Sequence, residues 1–307
     1  MPRFLHRRRL PMLVGIIVAA FVAVAVNFAP ARSMMMKFLT SLRVQKVQAV
    51  NVDLSNFVGP NANPTLQQMV SQMISEKVTV TINEAEQPAA TAAAATELAG
   101  FPVQLLTARK DAPKLVVPGK HAFTLTVDRD RLQAIIVEAG RTDLVVPPSI
   151  QGAAVSVQLP RTVRAQYGTC PGPPSATANV ATPPPDSTQY SDCVVLNEGP
   201  SPVVNVPKEL NVEQLVQIGL ELAGMSPAQA HEFLQTVNWQ STLGVSVPRF
   251  MRSYEGVTVK GVPGTLLNTA GRRGPTYALI WANRGMVYSL TGFGNSANAV
   301  ALADSLQ

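Results

Sequence analysis

Residues 277–290 read YALIWANRGMVYSL, and this stretch decides the fold class of the C-terminal third of the chain. Large apolar residues occupy alternate positions on both sides of a central Asn283-Arg284-Gly285. They are Tyr277, Leu279 and Trp281 before the glycine, and Met286, Tyr288 and Leu290 after it. Such period-two alternation around a glycine-containing turn is typical of an antiparallel hairpin. The stretch therefore predicts two neighbouring strands in a meander of hairpins.

Similar alternation recurs upstream, and helical spacing of apolar residues separates the alternating runs. Further strands are predicted at Val50–Leu54, Val78–Ile82, Ala122–Val127, Val155–Val157, Val203–Val206, Trp239–Val247 and Val257–Val259. Helices are predicted around Leu66–Ile74, from Ala89 to a stop at Gly100, after Asp128 or Asp130, around Leu215–Leu222, from Ser226 and from Asn295. This mixture predicts an α+β protein, with helices packed on one face of a curved antiparallel sheet.

The composition supports a folded body and argues against a nucleic-acid-binding protein. The chain has 307 residues, of which 46% are hydrophobic and 14% are charged, with a formal net charge of +6. Four arginines, however, lie among the first nine residues, at positions 3, 7, 8 and 9, so the rest of the chain is close to neutral. Phosphate binding needs a basic stripe on the folded body, which this sequence lacks. We expect no nucleic-acid partner.

The N-terminal segment has the pattern of a signal anchor. Residues 10–28 run from Leu10 to Phe28 without a charge, long enough to cross a bilayer as a helix. The arginines before this run predict that residues 1–9 form a cytoplasmic tail and that the rest is exported. A cleaved signal peptide is the alternative, because Ala29-Pro30-Ala31 has the form of a cleavage site. Arg7-Arg8-Arg9-Leu10 is a weaker match to a twin-arginine signal.

The two cysteines, Cys170 and Cys193, support export and divide the exported part. They bracket a proline-rich segment, so a disulfide would close a loop over residues 169–193. The α+β body is then expected in two halves, residues 32–168 and 194–307. The spacing of the cysteines from His121 and His231 does not suggest a metal site.

Motifs of catalysis are absent from the sequence, and we expect no enzymatic activity, metal or cofactor. Gly292-Phe-Gly294-Asn-Ser-Ala297 matches a dinucleotide fingerprint only in its spacing, since ten residues follow it. Asp128 and Asp130 are interpreted as helix-capping residues. The candidate for a binding site is an apolar pocket formed by four aromatic residues, with plain core packing as the alternative. These residues are Trp239, Tyr277, Trp281 and Tyr288.

An internal duplication is a further hypothesis. A strand, a helix ending in Ala139-Gly140 and a strand ending in Pro160-Arg161 are followed by a similar series. The second series has a helix ending in Ala223-Gly224 and a strand ending in Pro248-Arg249. Related strand orders are expected if the two series share an origin.

Short motifs in residues 90–307 resemble a known group of bacterial proteins. They include Ala99-Gly-Phe-Pro-Val103, Val206-Pro207, Leu222-Ala-Gly-Met-Ser-Pro227, Trp239-Gln-Ser-Thr-Leu243 and Tyr277-Ala-Leu-Ile-Trp281. Together they resemble an uncharacterised extracytoplasmic domain of bacterial single-pass membrane proteins, including anti-sigma-factor-like ones, which is distantly similar to the LolA and RseB family. The resemblance implies an incomplete, strongly curved antiparallel barrel closed by helices, and lipid or lipoprotein sensing.

The sequence therefore favours a non-enzymatic sensing or binding protein of the bacterial envelope, anchored in the cell membrane with its C-terminal domain outside the cytoplasm. Its expected partners are the membrane and an envelope lipid, a lipoprotein or a membrane regulatory protein. A lipid or lipoprotein carrier with an apolar pocket is the alternative. Direct anti-sigma activity is not expected, because a nine-residue tail is too short for a sigma-binding domain.

Overall fold

The fold is taken from a computed structural model of the chain. The structure describes residues 46–53, 55–57, 62–171, 190–207, 210–236, 242–248, 253–271 and 274–307. The predicted anchor at residues 10–28 and the cleavage motif at 29–31 lie outside these ranges, as does most of the proline-rich loop. Within the described residues, no helix has both the length and the hydropathy to cross a membrane.

Fourteen strands lie in the described residues. They are β1 Lys46–Val52, β2 Val78–Asn83, β3 Gln87–Ala89, β4 Lys114–Val117, β5 His121–Thr126, β6 Ala154–Leu159, β7 Val163–Tyr167, β8 Val194–Pro200, β9 Val203–Asn205, β10 Thr242–Pro248, β11 Ser253–Val259, β12 Val262–Gly271, β13 Gly274–Asn283 and β14 Met286–Phe293. The turns joining β11 to β12 and β13 to β14 place Lys260 and Arg284 at φ 48° and 50°, each followed by a positive-φ glycine. Two successive positive φ values favour tight hairpins.

Six α-helices accompany the strands in the described part of the chain. They are α1 Pro64–Lys77, α2 Ala92–Ala99, α3 Arg129–Glu138, α4 Val212–Leu222, α5 Pro227–Thr236 and α6 Ala299–Asp304. Their starts follow the predicted capping chemistry: the side chain of Asp128 accepts from the backbone N–H of Arg131 at 3.2 Å. At α5, Ser226 and Gln229 each accept the other's backbone N–H, as in a capping box. The capping interpretation of Asp128 is confirmed.

The strands form three sheets where the sequence predicted one. Eight strands make an antiparallel sheet in the order β11-β12-β13-β14-β8-β7-β4-β3, and four make another in the order β2-β5-β6-β9. β1 pairs with β10 in parallel, and β1 also lies beside β12 and β13. The α+β class with antiparallel sheets is confirmed, and the strands are divided among three hydrogen-bonded sheets. Local alternation identifies strands but does not reveal which strands they pair with.

The two larger sheets share four chain segments. β2 continues into β3, β4 into β5, β6 into β7 and β8 into β9, with two or three residues at each crossing. The strands of these segments follow the same order in both sheets. Each sheet therefore draws strands from residues 32–168 and from residues 194–307, and neither of these halves forms a sheet of its own.

Helices cover each sheet and define two layers. The large layer is the eight-stranded sheet with α2 and α6, whose core includes Leu196, Leu279 and Leu290. The small layer is the four-stranded sheet with α1, α3, α4 and α5, whose cores include Ile136 and Leu220. The hydrophobic clusters of the two layers are separate, and they lie on opposite sides of the crossings.

The crossings are held together around Glu84. Its carboxylate accepts from the backbone N–H of Lys120 at 3.0 Å and from Nε of Arg161 at 2.9 Å. The Arg161 guanidinium also donates to the carbonyl of Leu98, at the end of α2. These bonds, chiefly the one from Lys120, lower the pKa of Glu84. Residues from three of the four crossings thus meet at the Glu84 carboxylate.

The duplication hypothesis is wrong for the described strands. In the first series β5 and β6 pair with each other, whereas in the second series β9 joins the four-stranded sheet and β10 pairs with β1. The two series therefore have unrelated strand orders. Their common motifs reflect similar strand and helix termini, since glycine after a helix and proline after a strand are general termination signals.

Candidate functional site

The predicted disulfide is confirmed and lies at one end of the large layer. Cys170 and Cys193 are joined at a sequence separation of 23. Cys170 follows β7 and Cys193 precedes β8, and these strands pair directly, Tyr167 with Val194. The disulfide therefore closes the proline-rich loop at the ends of two adjacent strands, where the chain re-enters the sheet.

An ion pair between Arg109 and Asp111 lies at the same end of the large layer. The Arg109 guanidinium donates to both carboxylate oxygens of Asp111, at 2.7 and 2.8 Å, and to the carbonyl of Asp192. It also lies 5.7 Å from the ring centroid of Tyr167, close enough for a cation–π contact. Asp111 accepts in addition from the backbone N–H of Gly168. The hydrogen bonds from Arg109 are the main cause that lowers the pKa of Asp111 to about 2.

An apolar groove of about 290 Å³ opens beside the disulfide. It is lined by Cys193, Val195, Leu267, Thr276, Tyr277, Ala278, Thr291, Gly292 and Phe293. Four of these residues form one row across the sheet, because Leu267 pairs with Ala278, Ala278 with Thr291, and Thr291 with Val195. Paired residues in antiparallel strands point to the same face. The groove is therefore set by the register of four strands.

The four-residue row of the groove lies on the sheet face opposite the core of the large layer, whereas Tyr277 and Gly292 reach the groove from the core-facing row. Side chains alternate along β8, so that Val194, Leu196 and Glu198 are buried in the core while Val195 faces the groove. The lining residues within the described chain include no carboxylate, imidazole or amine, and their side-chain polar groups are the hydroxyls of Thr276, Thr291 and Tyr277. This lining suits an apolar ligand.

Three of the four predicted pocket residues come together in the core of the large layer. Tyr277, Trp281 and Tyr288 are 5%, 2% and 8% exposed, and Trp239 lies outside the described residues. Trp281 and Tyr288 are paired across β13 and β14, with their rings stacked at 5.2 Å. Among these aromatic residues, Tyr277 alone borders the groove. Tyr277 and Trp281 share one face of β13, and all three aromatic residues belong to the core of the large layer.

Gly292 lets the Tyr277 ring lie flat across the neighbouring strand. These two residues are paired in the register, and a Cβ at position 292 would lie 2.4 Å from Cζ of Tyr277. A side chain there would displace the ring, so glycine is required for the close approach. Gly292 thus serves ring packing, and it also lines the groove.

Glu198 is a buried carboxylate that the sequence reasoning missed. It is 2% exposed and lies next to Tyr288 in the register of β8 and β14. The signal was present in the alternation of Val194, Leu196 and Glu198, which puts the glutamate at an inward position. Burial raises its pKa to about 7, against a weaker opposing effect of a hydrogen bond from the backbone of Gln104.

The described residues offer no group of three or more His, Cys, Asp or Glu side chains that could hold a metal ion. Comparisons of the chain with protein-family models, with curated proteins and with solved structures found no match.

Proposed function

We propose that this protein is a membrane-anchored, extracytoplasmic binding protein of the bacterial envelope, without catalytic activity, that holds an apolar group of an envelope lipid or lipoprotein. The groove beside the Cys170–Cys193 disulfide carries this proposal, because Cys193 itself lines this apolar groove at one end of the large sheet. Structural disulfides are typical of exported proteins, and apolar concave surfaces are typical of ligand sites.

The sequence supports the anchored location. The uncharged run at residues 10–28 follows a cluster of arginines, which favours insertion with the N-terminus in the cytoplasm. A tethered domain keeps its groove close to the bilayer and to other envelope proteins. A sensing role follows if ligand occupancy changes its contact with a membrane regulatory protein.

The matched strand order of the two sheets supports the resemblance to the LolA and RseB family. Four chain segments pass from one sheet to the other in the same order, as expected if one strongly curved sheet is bent at the crossings. In this proposal the two layers are the two parts of an incomplete barrel. The groove volume, at the lower end of the range for small-molecule sites, fits one apolar chain better than a bulky ring system.

The location is tested by the intact mass of protein purified from membranes in mild detergent, with and without reduction. We expect a full-length mass that increases by two protons on reduction. A soluble protein with the mass of a chain that begins at Arg32 would contradict the membrane anchor. It would favour the alternative of a released carrier, for which Ala29-Pro30-Ala31 provides the cleavage motif.

Ligand binding is tested by filling the groove. Ala278→Phe places a ring in the middle of the lining row, and Val203→Phe adds the same ring at an exposed position of the small layer, where Val203 is 40% exposed. We expect organic extraction to release an apolar molecule from the wild type and from Val203→Phe, but not from Ala278→Phe. Equal recovery from all three proteins would place the ligand elsewhere, and no recovery from any would remove the support for binding.

A further inference from the structure

A short irregular segment covers the aromatic side of the large layer. This segment, residues 100–107, is called the strap here. Phe101, Val103 and Leu105 pack half-buried against the core of the large layer, and Leu106 is fully buried. Its C-terminal half pairs with the chain end, because Leu105 and Gln307 exchange two backbone hydrogen bonds. The strap therefore packs on the large layer beside the C-terminal end of α6.

Two side chains of the sheet fasten the strap by accepting its backbone N–H groups. The Tyr167 hydroxyl accepts from Leu106 at 2.9 Å, and Oε1 of Glu198 accepts from Gln104 at 2.8 Å. The other carboxyl oxygen, Oε2 of Glu198, is buried and has no hydrogen-bond partner. A buried carboxylate with one neutral donor is poorly compensated, whereas a buried neutral carboxyl group is tolerated far better.

Among the residues that the structure describes, the groups around Glu198 provide no positive charge. The titratable side chains that influence it electrostatically are the phenols of Tyr288 on β14 and Tyr167 on β7. Its neighbour on the remaining side of the register is Val163, and the strap carries only apolar, amide and hydroxyl side chains. Burial raises the pKa of both phenols, which therefore stay neutral. Ionisation of Glu198 would leave a lone charge under the strap.

We propose that Glu198 is a proton-dependent lock, which holds the strap on the large sheet when it is neutral and releases the strap when it loses its proton. Release would uncover the stacked pair of Trp281 and Tyr288, which lie in the same row as Glu198. The lock thus couples the pH outside the cytoplasm to the exposure of an aromatic surface. It stands whether or not the groove on the opposite face binds a ligand.

The direction of the pH effect follows from the pKa values of the two states. The pKa of Glu198 is about 7 when the strap is closed and has an ordinary value of 4.5 when the carboxyl group is in water. The closed state binds the extra proton between these values. Its stabilisation is therefore complete below pH 4.5 and is lost as the pH rises through 7. Linkage predicts that the opening equilibrium constant increases by up to about tenfold per pH unit in that window.

Amide hydrogen exchange between pH 5 and pH 8 tests the lock in the full-length protein. The exchange of a peptide spanning the strap is corrected for the intrinsic rate at each pH, and a peptide from β6 serves as an internal reference. We expect wild-type strap protection to fall by about 10- to 100-fold between pH 5 and pH 7 and then to level off, while β6 stays constant. Unchanged strap protection would overturn the proposal.

Three variants assign the effect to Glu198. Glu198→Gln is neutral at every pH and should keep the strap protected from pH 5 to pH 8. Tyr288→Phe removes the neighbouring phenol, and Glu221→Gln alters the buried glutamate of the small layer; both should retain the wild-type pH dependence. If Glu198→Gln behaves as the wild type does, or if either control abolishes the dependence, Glu198 is not the lock.

A measurement on the wild type keeps the proposal testable if Glu198→Gln does not fold. The side-chain carboxyl carbon of Glu198 can be followed by ¹³C NMR as the pH is raised. We expect its titration midpoint to coincide with the loss of strap protection. Titration complete below pH 5 would overturn the proposal, because the strap would then close over a charged group.

Discussion

The large and small layers each bury one glutamate, and they surround it differently. In the small layer Glu221 is 6% exposed; its Oε1 accepts from the side chain of Gln217 at 2.9 Å, and its Oε2 lies 3.7 Å from the Arg141 guanidinium. In the large layer Glu198 is 2% exposed and has a single backbone donor. A satisfied buried charge supports a fixed structure, whereas an uncompensated one makes the structure responsive to its protonation state. We therefore expect the stability of the large layer to depend on the protonation of its buried glutamate more than that of the small layer does.

The test with the largest expected effect on stability is removal of the stacked indole of Trp281 from the large layer. Trp281→Ala deletes a side chain that is 2% exposed and stacked on Tyr288, and we expect a loss of about 3–5 kcal/mol in the free energy of unfolding. Urea denaturation followed by far-UV circular dichroism measures it. Tyr254→Ala is the control, because Tyr254 is 45% exposed and should change stability by less than about 0.5 kcal/mol. Equal effects would mean that the large layer has no rigid aromatic core.

Removal of the disulfide tests the large layer at its groove. Cys170→Ala with Cys193→Ala frees a loop with a sequence separation of 23, which chain entropy predicts will cost about 3 kcal/mol. Urea denaturation of the double variant and of the reduced wild type measures this cost. Hydrogen exchange should show lost protection at the ends of β7 and β8 and little change in the small layer. Uniform loss over both layers would contradict their separate roles.

Much of this architecture could be predicted from local patterns, and the failures have a common physical cause. The hairpin of residues 277–290, the cap at Asp128 and the disulfide depend on neighbouring residues or on compartment, and the structure confirms them. The division into three sheets depends on pairings such as β14 with β8, whose residues are about ninety positions apart. Alternation within a strand contains no information about such partners.

Prediction of the candidate site from the sequence is limited in the same way. The groove row of Val195, Leu267, Ala278 and Thr291 takes one small or apolar residue from each of four strands, so no short motif marks it. The predicted aromatic residues were conspicuous in sequence, but the three that the structure describes lie in the core. Large aromatic residues stabilise cores as readily as they line pockets, and only the register tells the two uses apart.

The crossings between the layers provide a third test, with a smaller expected effect. A Cβ at Gly119 would lie 2.5 Å from the backbone carbonyl oxygen of Glu84, so Gly119→Ala must separate two crossing segments. We expect a loss of about 1–3 kcal/mol, measured by urea denaturation. Gly219→Ala is the matched control, because apart from its chain neighbours and the backbone of α4 itself nothing lies within 4 Å of the added methyl group. It should stabilise the small layer by about 0.5–1 kcal/mol. Effects of the same sign would argue against tight crossings.

The prediction with the smallest expected effect concerns the pH dependence of stability. It distinguishes Asp111 from Glu198, the other carboxyl group of the large layer with a shifted pKa. The pKa of Asp111 is lowered to about 2 by Arg109, so its stabilising effect is present above its ordinary value of 3.8 and is lost as the pH falls toward 2. Because its side chain is 40% exposed, we expect this contribution to stay below about 1 kcal/mol. Melting temperatures at pH 2.5 and pH 5 should differ less in Asp111→Asn than in the wild type. An identical difference would show that the ion pair does not stabilise the fold.

The pH dependence of stability that is due to Glu198 has the opposite sign to that due to Asp111. Together the two groups set the pH at which the large layer is most stable. Stability that depends on Glu198 decreases as the pH rises from 4.5 to 7, and stability that depends on Asp111 decreases as the pH falls below 3.8. The two effects leave a maximum near pH 4 to 5. Glu198→Gln should move this maximum toward neutral pH, whereas Asp111→Asn should broaden it on the acid side. Because Glu84, Asp128 and Asp143 also have lowered pKa values, some acid sensitivity should remain in Asp111→Asn. A maximum that stays in place in Glu198→Gln would mean that the buried glutamate does not control the large layer.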